Sequence, residues 1–123
     1  MVRIAGPDGE RDLPVAEIPS GPGKTNLRKG EFITSFHFPA RPAAASDAYL
    51  RFTPRTEMDI AVASAAVNLT LGADRKVIEA RVVLGAVAPT VVLVPEAATA
   101  IIGTTLDDAA LEKMAGACEA AGC

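Results

Sequence analysis

The sequence predicts an α+β fold in which a small antiparallel sheet packs against carboxy-terminal helices. Two observations carry that expectation. Apolar runs separated by turn residues occupy the chain as far as Val83, and helix punctuation appears only afterwards, without the β–α–β alternation of a parallel sheet. The length of 123 residues suits one domain, or a small domain with a piece of another. Half of the residues are hydrophobic but only 4% are aromatic and none is Trp, so the core has to be built from Ala, Val, Ile and Leu.

The first forty residues are rich in turns. Gly6-Pro7-Asp8-Gly9 and Ser20-Gly21-Pro22-Gly23 are turn sequences, flanked by predicted strands at 2–5 and 31–38. In the second strand, simple alternation puts Phe32, Thr34, Phe36 and Phe38 on one face and Ile33, Ser35 and His37 on the other. Pro39 to Ala45, with a second proline at Pro42, reads as a linker, and we place a domain boundary between residues 42 and 43. Residues 48–53 form the next strand, stopped by Pro54. The Ala-rich middle of 60–71 leaves helix and strand hard to separate by periodicity alone. The alternation of Asn68 to Leu71 and the turn Gly72-Ala-Asp-Arg75 favour a strand, paired as a hairpin with a second strand at 77–83. Pro95 suits a first helical position, and a helix over 96–102 would end at Gly103. Thr104 or Thr105 offers an N-cap for a last helix, with Asp107 and Asp108 in its first turn and Leu106, Ala110, Met114 and Ala117 on one apolar face. Both ends of the chain are abrupt, and we read it as a fragment.

A net charge of −3 gives no electrostatic reason to expect nucleic acid or an anionic membrane as partner. Residues 82–102 have about the length of a bilayer span, ~20 residues, but Pro89, Pro95 and Glu96 break them into strand, loop and helix. Nothing near Met1 resembles a signal peptide, because Arg11, Asp12 and Pro14 interrupt any apolar run. Cys118 and Cys123, with no His nearby, make neither a zinc set nor a disulfide framework, and read as reduced thiols of a cytoplasmic protein.

Several motifs invite chemistry. Gly21-Pro-Gly23-Lys24-Thr25 suggests a phosphate loop, but the earlier glycine that such a cradle needs falls on Ile18, so a turn with a surface lysine is the better reading. His37 is the sole histidine, with no nucleophile in the neighbouring sequence. Glu57 and Asp59 stand too close together on one segment to make a strong acid–base pair. Arg51, Arg55, Glu57 and Asp59 form the densest charged cluster. The residues alone leave two readings open: solvated charges at a strand edge, or an arginine turned toward an anionic or electron-rich cofactor.

Three segments, taken in order, carry a resemblance. Ser20-Gly-Pro-Gly-Lys-Thr25, leading to Gly30-Glu31-Phe-Ile-Thr34 and Phe38-Pro39, is similar to the end of the FAD-binding region in flavoprotein subunits of molybdenum hydroxylases, the xanthine and carbon monoxide dehydrogenase family. Ala48-Tyr49-Leu-Arg51 with Arg55, Asp59-Ile-Ala61-Val62 and Ala65-Ala66-Val67 resembles the opening of the carboxy-terminal domain of these subunits. Ala80-Arg81-Val-Val-Leu-Gly85-Ala-Val-Ala-Pro89-Thr90, then Pro95-Glu96-Ala97 and Gly103, resembles the middle of that domain.

The resemblance implies that 1–42 is the tail of an FAD-binding domain and 43–123 a truncated carboxy-terminal domain. It implies a subunit passing electrons from iron–sulfur clusters to FAD and an acceptor, beside a molybdopterin-binding large subunit and a small subunit with 2Fe-2S clusters. Ile33 would pack against the flavin. Arg51, where the family often has Lys, would put positive charge near the polar edge of the flavin and favour its anionic reduced form. No catalytic residue and no metal ligand is implied. The family's glycine-rich pyrophosphate loops lie upstream of this chain, which has no Gly-Gly pair, so FAD would be held only with the amino-terminal part present. Val91-Val-Leu93-Val94 replaces the family's Pro and Arg, and the chain stops before an Asp-Arg segment that usually follows the last helix. The rival reading is a non-catalytic interaction module of the same fold that binds no flavin.

Overall fold

The structure, a computed structural model, describes residues 1–55 and 60–122. Glu57, Asp59 and Cys123, singled out above, lie outside the described residues. The chain forms two compact units, one from Met1 to Ala40 and one beginning at Arg41.

In the first unit, β1 (Val2–Gly6) and β2 (Gly9–Leu13) form a hairpin around Pro7-Asp8, as the turn sequence predicts. A 3₁₀ turn (Val15–Glu17) leads to a small hairpin of β3 (Pro19–Gly21) and β4 (Lys24–Thr25), and β5 (Phe32–Phe36) completes an antiparallel sheet in the order β2-β1-β5. The central strand supplies the core: Val2, Ile4 and Ile18 are buried, with Leu13, Leu27 and Ile33 packed around them. The sequence Gly-Glu-Arg-Asp-Leu of β2 has no apolar alternation, and sequence analysis missed it. It holds as an edge strand partly through charge, with Arg3 of β1 donating to both carboxylate oxygens of Asp12 at 2.9 and 3.0 Å.

A β-bulge corrects the simple alternation expected of β5. Arg3 lies opposite Ser35 and Ile4 opposite Ile33, leaving Thr34 as the extra residue, with its hydroxyl donating to the Arg3 carbonyl at 3.2 Å. Ile33 therefore shares the core face with Ile4, while Ser35 shares the outer face with Arg3. The start of β5 is fastened by Glu31. Its carboxylate accepts from Arg11 at 2.8 and 2.7 Å and from the Arg28 backbone N–H at 2.6 Å, and Arg11 also donates to the Asn26 carbonyl at 2.9 Å. The Glu31 side chain is only 9% exposed. The Arg11 hydrogen bonds, then the Arg28 N–H, hold its carboxyl at about 2, against the opposing effect of burial.

The second unit is an antiparallel sheet in the order β6-β7-β8-β9 followed by two helices: β6 (Ala45–Phe52), β7 (Ala63–Leu71), β8 (Val77–Gly85), β9 (Val92–Leu93), α1 (Pro95–Ile101) and α2 (Asp108–Ala121). This is the α+β arrangement that the sequence predicts. The hairpin turn at Gly72–Lys76 is closed by Gly72 N–H donating to the Lys76 carbonyl at 2.8 Å. The differences lie at element ends and in one added strand. β6 starts earlier than expected, residues 60–62 stay outside β7, and the short β9 emerges where Val92 and Leu93 meet Leu84 and Val83.

Cross-strand partners identify the faces of this sheet, because paired residues point the same way. Val67, Val82, Ala80 and Leu84 lie toward the helices and meet Val94, Ala97, Ala98, Met114, Ala117 and Cys118 in the core. Cys118 is a free thiol whose pKa burial pushes up.

The connection between helices corrects one expectation. Gly103, at φ +82°, ends α1 as predicted, but neither Thr104 nor Thr105 caps α2. Thr104 is engaged in the turn: its hydroxyl donates to the Ile101 carbonyl at 2.7 Å and accepts from Leu106 N–H at 3.2 Å, and its backbone carbonyl accepts from Val77 N–H at 2.9 Å. Leu106 takes a left-handed φ of +63°, so helical dihedrals resume only beyond it and Asp107 becomes the N-cap, accepting from Ala110 N–H at 3.0 Å. Among the described residues, no helix is long and apolar enough to cross a membrane.

Ile101 is fully buried, so Ile101→Ala is expected to cost about 2–5 kcal/mol, measured by denaturant unfolding of the second unit. A cost within about 0.5 kcal/mol of zero would show that this position is not part of the core. In the first unit, Glu31 and Asp12 both have lowered pKa values, so the stability they add is present above pH 4.5 and is lost as pH falls toward about 2. Amide exchange of β1 and β5 should accelerate across that window, and Glu31→Gln should flatten the dependence.

Candidate functional site

Ile33 and Arg51, the two positions matched to flavin contacts by resemblance, stand in different units. Ile33, the second residue of β5, is half-buried and packs with Val2, Ile4 and Ile18. Its first role is therefore in its own core, and only part of its surface is open to a ligand.

Arg51 stands near the end of β6, which among the described residues is an edge strand paired only with β7. It lies opposite Ser64, which lies opposite Gly85 of β8. These three make one row on the sheet face turned away from the helices. The next row on that face is Tyr49, Ala66, Val83 and Leu93. Beside Arg51 and the exposed Tyr49, the face thus carries small residues (Ser64, Ala66 and Gly85), which leave a shallow shelf for a flat group. Arg55 follows just beyond the strand.

The opposite face is unevenly covered. α1 lies over β8, and β6 is left bare. Leu50 and Phe52 are consequently 78% and 64% exposed, and with Ala63, Ala65 and Leu84 they line an open apolar concavity of about 290 Å³ edged by Arg51 and Ser64. Sequence analysis carried Leu50 and Gly85 only within the family pattern, without a site role, and did not name Ser64 or Phe52. The apolar Leu50 and Phe52 flanking Arg51 in one strand were the available signal that the two faces differ.

His37 follows β5. Its backbone N–H donates to the Met1 carbonyl at 2.8 Å and its own carbonyl accepts from the Met1 amino group at 3.1 Å. With Met1, Arg3, Asp12 and Ser35 it lines a cleft of about 380 Å³. Ser, His and Asp thus share one cleft, but Arg3 stands between Asp12 and Ser35 in the sheet and takes both oxygens of the carboxylate. That arrangement is a charge pair on a sheet face and not a relay for a nucleophile. Lys24 and Thr25 are exposed on β4, with no helix following to receive a phosphate. Among the described residues, no three His, Cys, Asp or Glu side chains converge as a metal site.

Residues 48–121, from β6 to the end of α2, match the family model of the CO dehydrogenase flavoprotein C-terminal domain. The chain belongs to that family. The resemblance read from the sequence, to the carboxy-terminal part of flavin subunits of xanthine and CO dehydrogenases, therefore holds. Over 117 residues the chain is 33% identical to the carbon monoxide dehydrogenase medium chain of Afipia carboxidovorans, covering 95% of this chain and 40% of that protein. It is 33% identical over 90 residues to a putative xanthine dehydrogenase FAD-binding subunit of Escherichia coli, covering 72% of this chain and 30% of that one. A reconstituted CO dehydrogenase from Oligotropha carboxidovorans superposes with a TM-score of 0.85 at 32% identity, over 97% of this chain and 41% of its own. This flavoprotein-family chain thus spans between about a third and two-fifths of the length of the relatives it matches.

Because Leu50 and Phe52 add little to the core, Leu50→Gln with Phe52→Gln should move stability by no more than about 0.5 kcal/mol. The same pair should reduce binding of a fluorescent apolar-surface dye. A large loss of stability would instead place both residues in the fold's support.

Proposed function

We propose that this chain forms part of the flavin site of an electron-transfer subunit in a cytoplasmic molybdenum hydroxylase. Electrons would come from a molybdopterin-binding large subunit through the 2Fe-2S clusters of a small subunit, and pass from FAD to an acceptor. The observation that carries this reading is the placement of Arg51 on an open sheet face whose neighbours are small, together with family membership. FAD, when bound, supplies the redox chemistry through its isoalloxazine ring, while the protein supplies position and charge.

The chain's own residues fit part of that group. The Arg51 guanidinium can meet a polar ring edge with its planar fork, favouring the negatively charged state of the ring. Ile33 would add an apolar contact from the exposed part of its side chain. The pyrophosphate has no cradle among the described residues, where the Gly21–Thr25 turn is an exposed hairpin with no helix after it. FAD would therefore be held jointly with the amino-terminal part of such a subunit. On this reading residues 1–42 are the tail of the FAD-binding domain and 43–123 the carboxy-terminal domain.

One observation favours a second reading. The apolar concavity at Leu50 and Phe52 suits an interaction module that uses the same fold to dock a protein and binds no flavin.

An FAD titration of the purified chain, alone and with the amino-terminal part of a related flavin subunit, separates the two. Flavin binding in the combined sample is expected, weakened about tenfold (about 1.4 kcal/mol) by Arg51→Ala and largely restored by Arg51→Lys. No binding in either arrangement would favour the interaction module.

A further inference from the structure

Gly85 ends β8 in the same row as Ser64 and Arg51. A side-chain carbon built on Gly85 would stand 2.6 Å from Ser64 Oγ but 4.0 Å from Ser64 Cβ. The difference is close to a full carbon–oxygen single bond, so the Cβ–Oγ bond of Ser64 points at the space where a residue-85 side chain would be. β6 and β8 flank β7 on opposite sides, so a hydroxyl aimed at β8 is aimed away from Arg51. The next residue, Ala86, takes a left-handed φ of +65°, a conformation L residues rarely adopt, and β8 stops at Gly85.

We infer that Gly85 is a positioning residue for Arg51, acting through Ser64. With no side chain at 85, the Ser64 hydroxyl points over β8 and away from Arg51. Any side chain at 85 forces the hydroxyl to rotate, because a contact of 2.6 Å cannot be tolerated. Its other cross-strand neighbour is Arg51, and such pairs have Cβ atoms only about 4.5–5.5 Å apart. The rotated hydroxyl would hydrogen-bond or crowd the guanidinium and change its direction over the open face. The functional consequence rests on the reading of Arg51 as flavin-facing, since Gly85 itself touches no reacting group.

The test compares Gly85→Ala, Gly85→Ala with Ser64→Ala, and Arg51→Ala, using two readouts. In the ¹⁵N-labelled chain without flavin, Gly85→Ala should move the Arg51 Nε–Hε resonance, and the added Ser64→Ala should return it toward its original position. In the assembled flavin-loaded complex, Gly85→Ala should lower the flavin reduction potential by at least half of the Arg51→Ala shift, with recovery in the double variant. An unmoved Arg51 resonance, or a shift that Ser64→Ala does not reverse, overturns the inference, as does a melting-temperature loss with no change in either readout. If Arg51→Ala leaves the potential unchanged while the resonance behaves as described, the positioning stands and the flavin-facing reading of Arg51 fails.

Discussion

A core without Trp and with few aromatic rings closes by close approach, and the contact of β8 with α1 is where this chain does so. Val82 and Leu84 meet Ala97 and Ala98, whose small side chains let the helix backbone come near the sheet. The hydrogen bonds from Val77 N–H to the Thr104 carbonyl at 2.9 Å and from Gly103 N–H to the Val77 carbonyl at 2.7 Å fasten the far end of α1 to the start of β8. With α1 fixed, Met114, Ala117 and Cys118 of α2 have a surface to pack on. The rest of the second unit depends on this one strand-to-helix contact.

The same contact makes the sheet asymmetric. A helix seated over β8 cannot also cover β6, so one face is half apolar core and half exposed concavity. The other face carries Arg51, Tyr49 and a set of small side chains. A charged residue kept on an edge strand stays accessible without a desolvation cost. The small residues beside it keep the surface shallow. Fold and candidate site are thus connected: the choice of which strand to cover decides which residues remain available.

The first unit reaches order by a different balance. Its buried apolar core comprises Val2, Ile4 and Ile18, and charge pairing adds what the core does not supply. Arg3 with Asp12 ties two strands, and Arg11 with Glu31 ties β2 to the start of β5 and to the Asn26 carbonyl. Exposed pairs of this kind are individually weak, whereas the Glu31 arrangement is sheltered and multiply hydrogen-bonded.

Much of the architecture was legible in the sequence because its causes are local. Turn residues such as Gly72 to Arg75, the position of Pro95 and the stop at Gly103 report on their immediate neighbours, and the family pattern from Ala48 onward is carried by their order. What was not legible depends on residues distant in sequence. The polar β2 is a strand because β1 pairs with it, and the bulge at Thr34 arises from registration with Arg3 and Ile4. Asp107 caps α2 because Thr104 is already engaged with Ile101 and Val77. Of the candidate site, the sequence marked Arg51 as a charge worth explaining. Only the strand register, which brings Ser64 and Gly85 beside it and decides which face all three share, determined its surroundings. The sequence by itself determined the types and order of the main elements and carried the family pattern, since propensity and punctuation act over a few residues. Register, caps and faces were decided by tertiary pairing, since each requires two distant segments to meet.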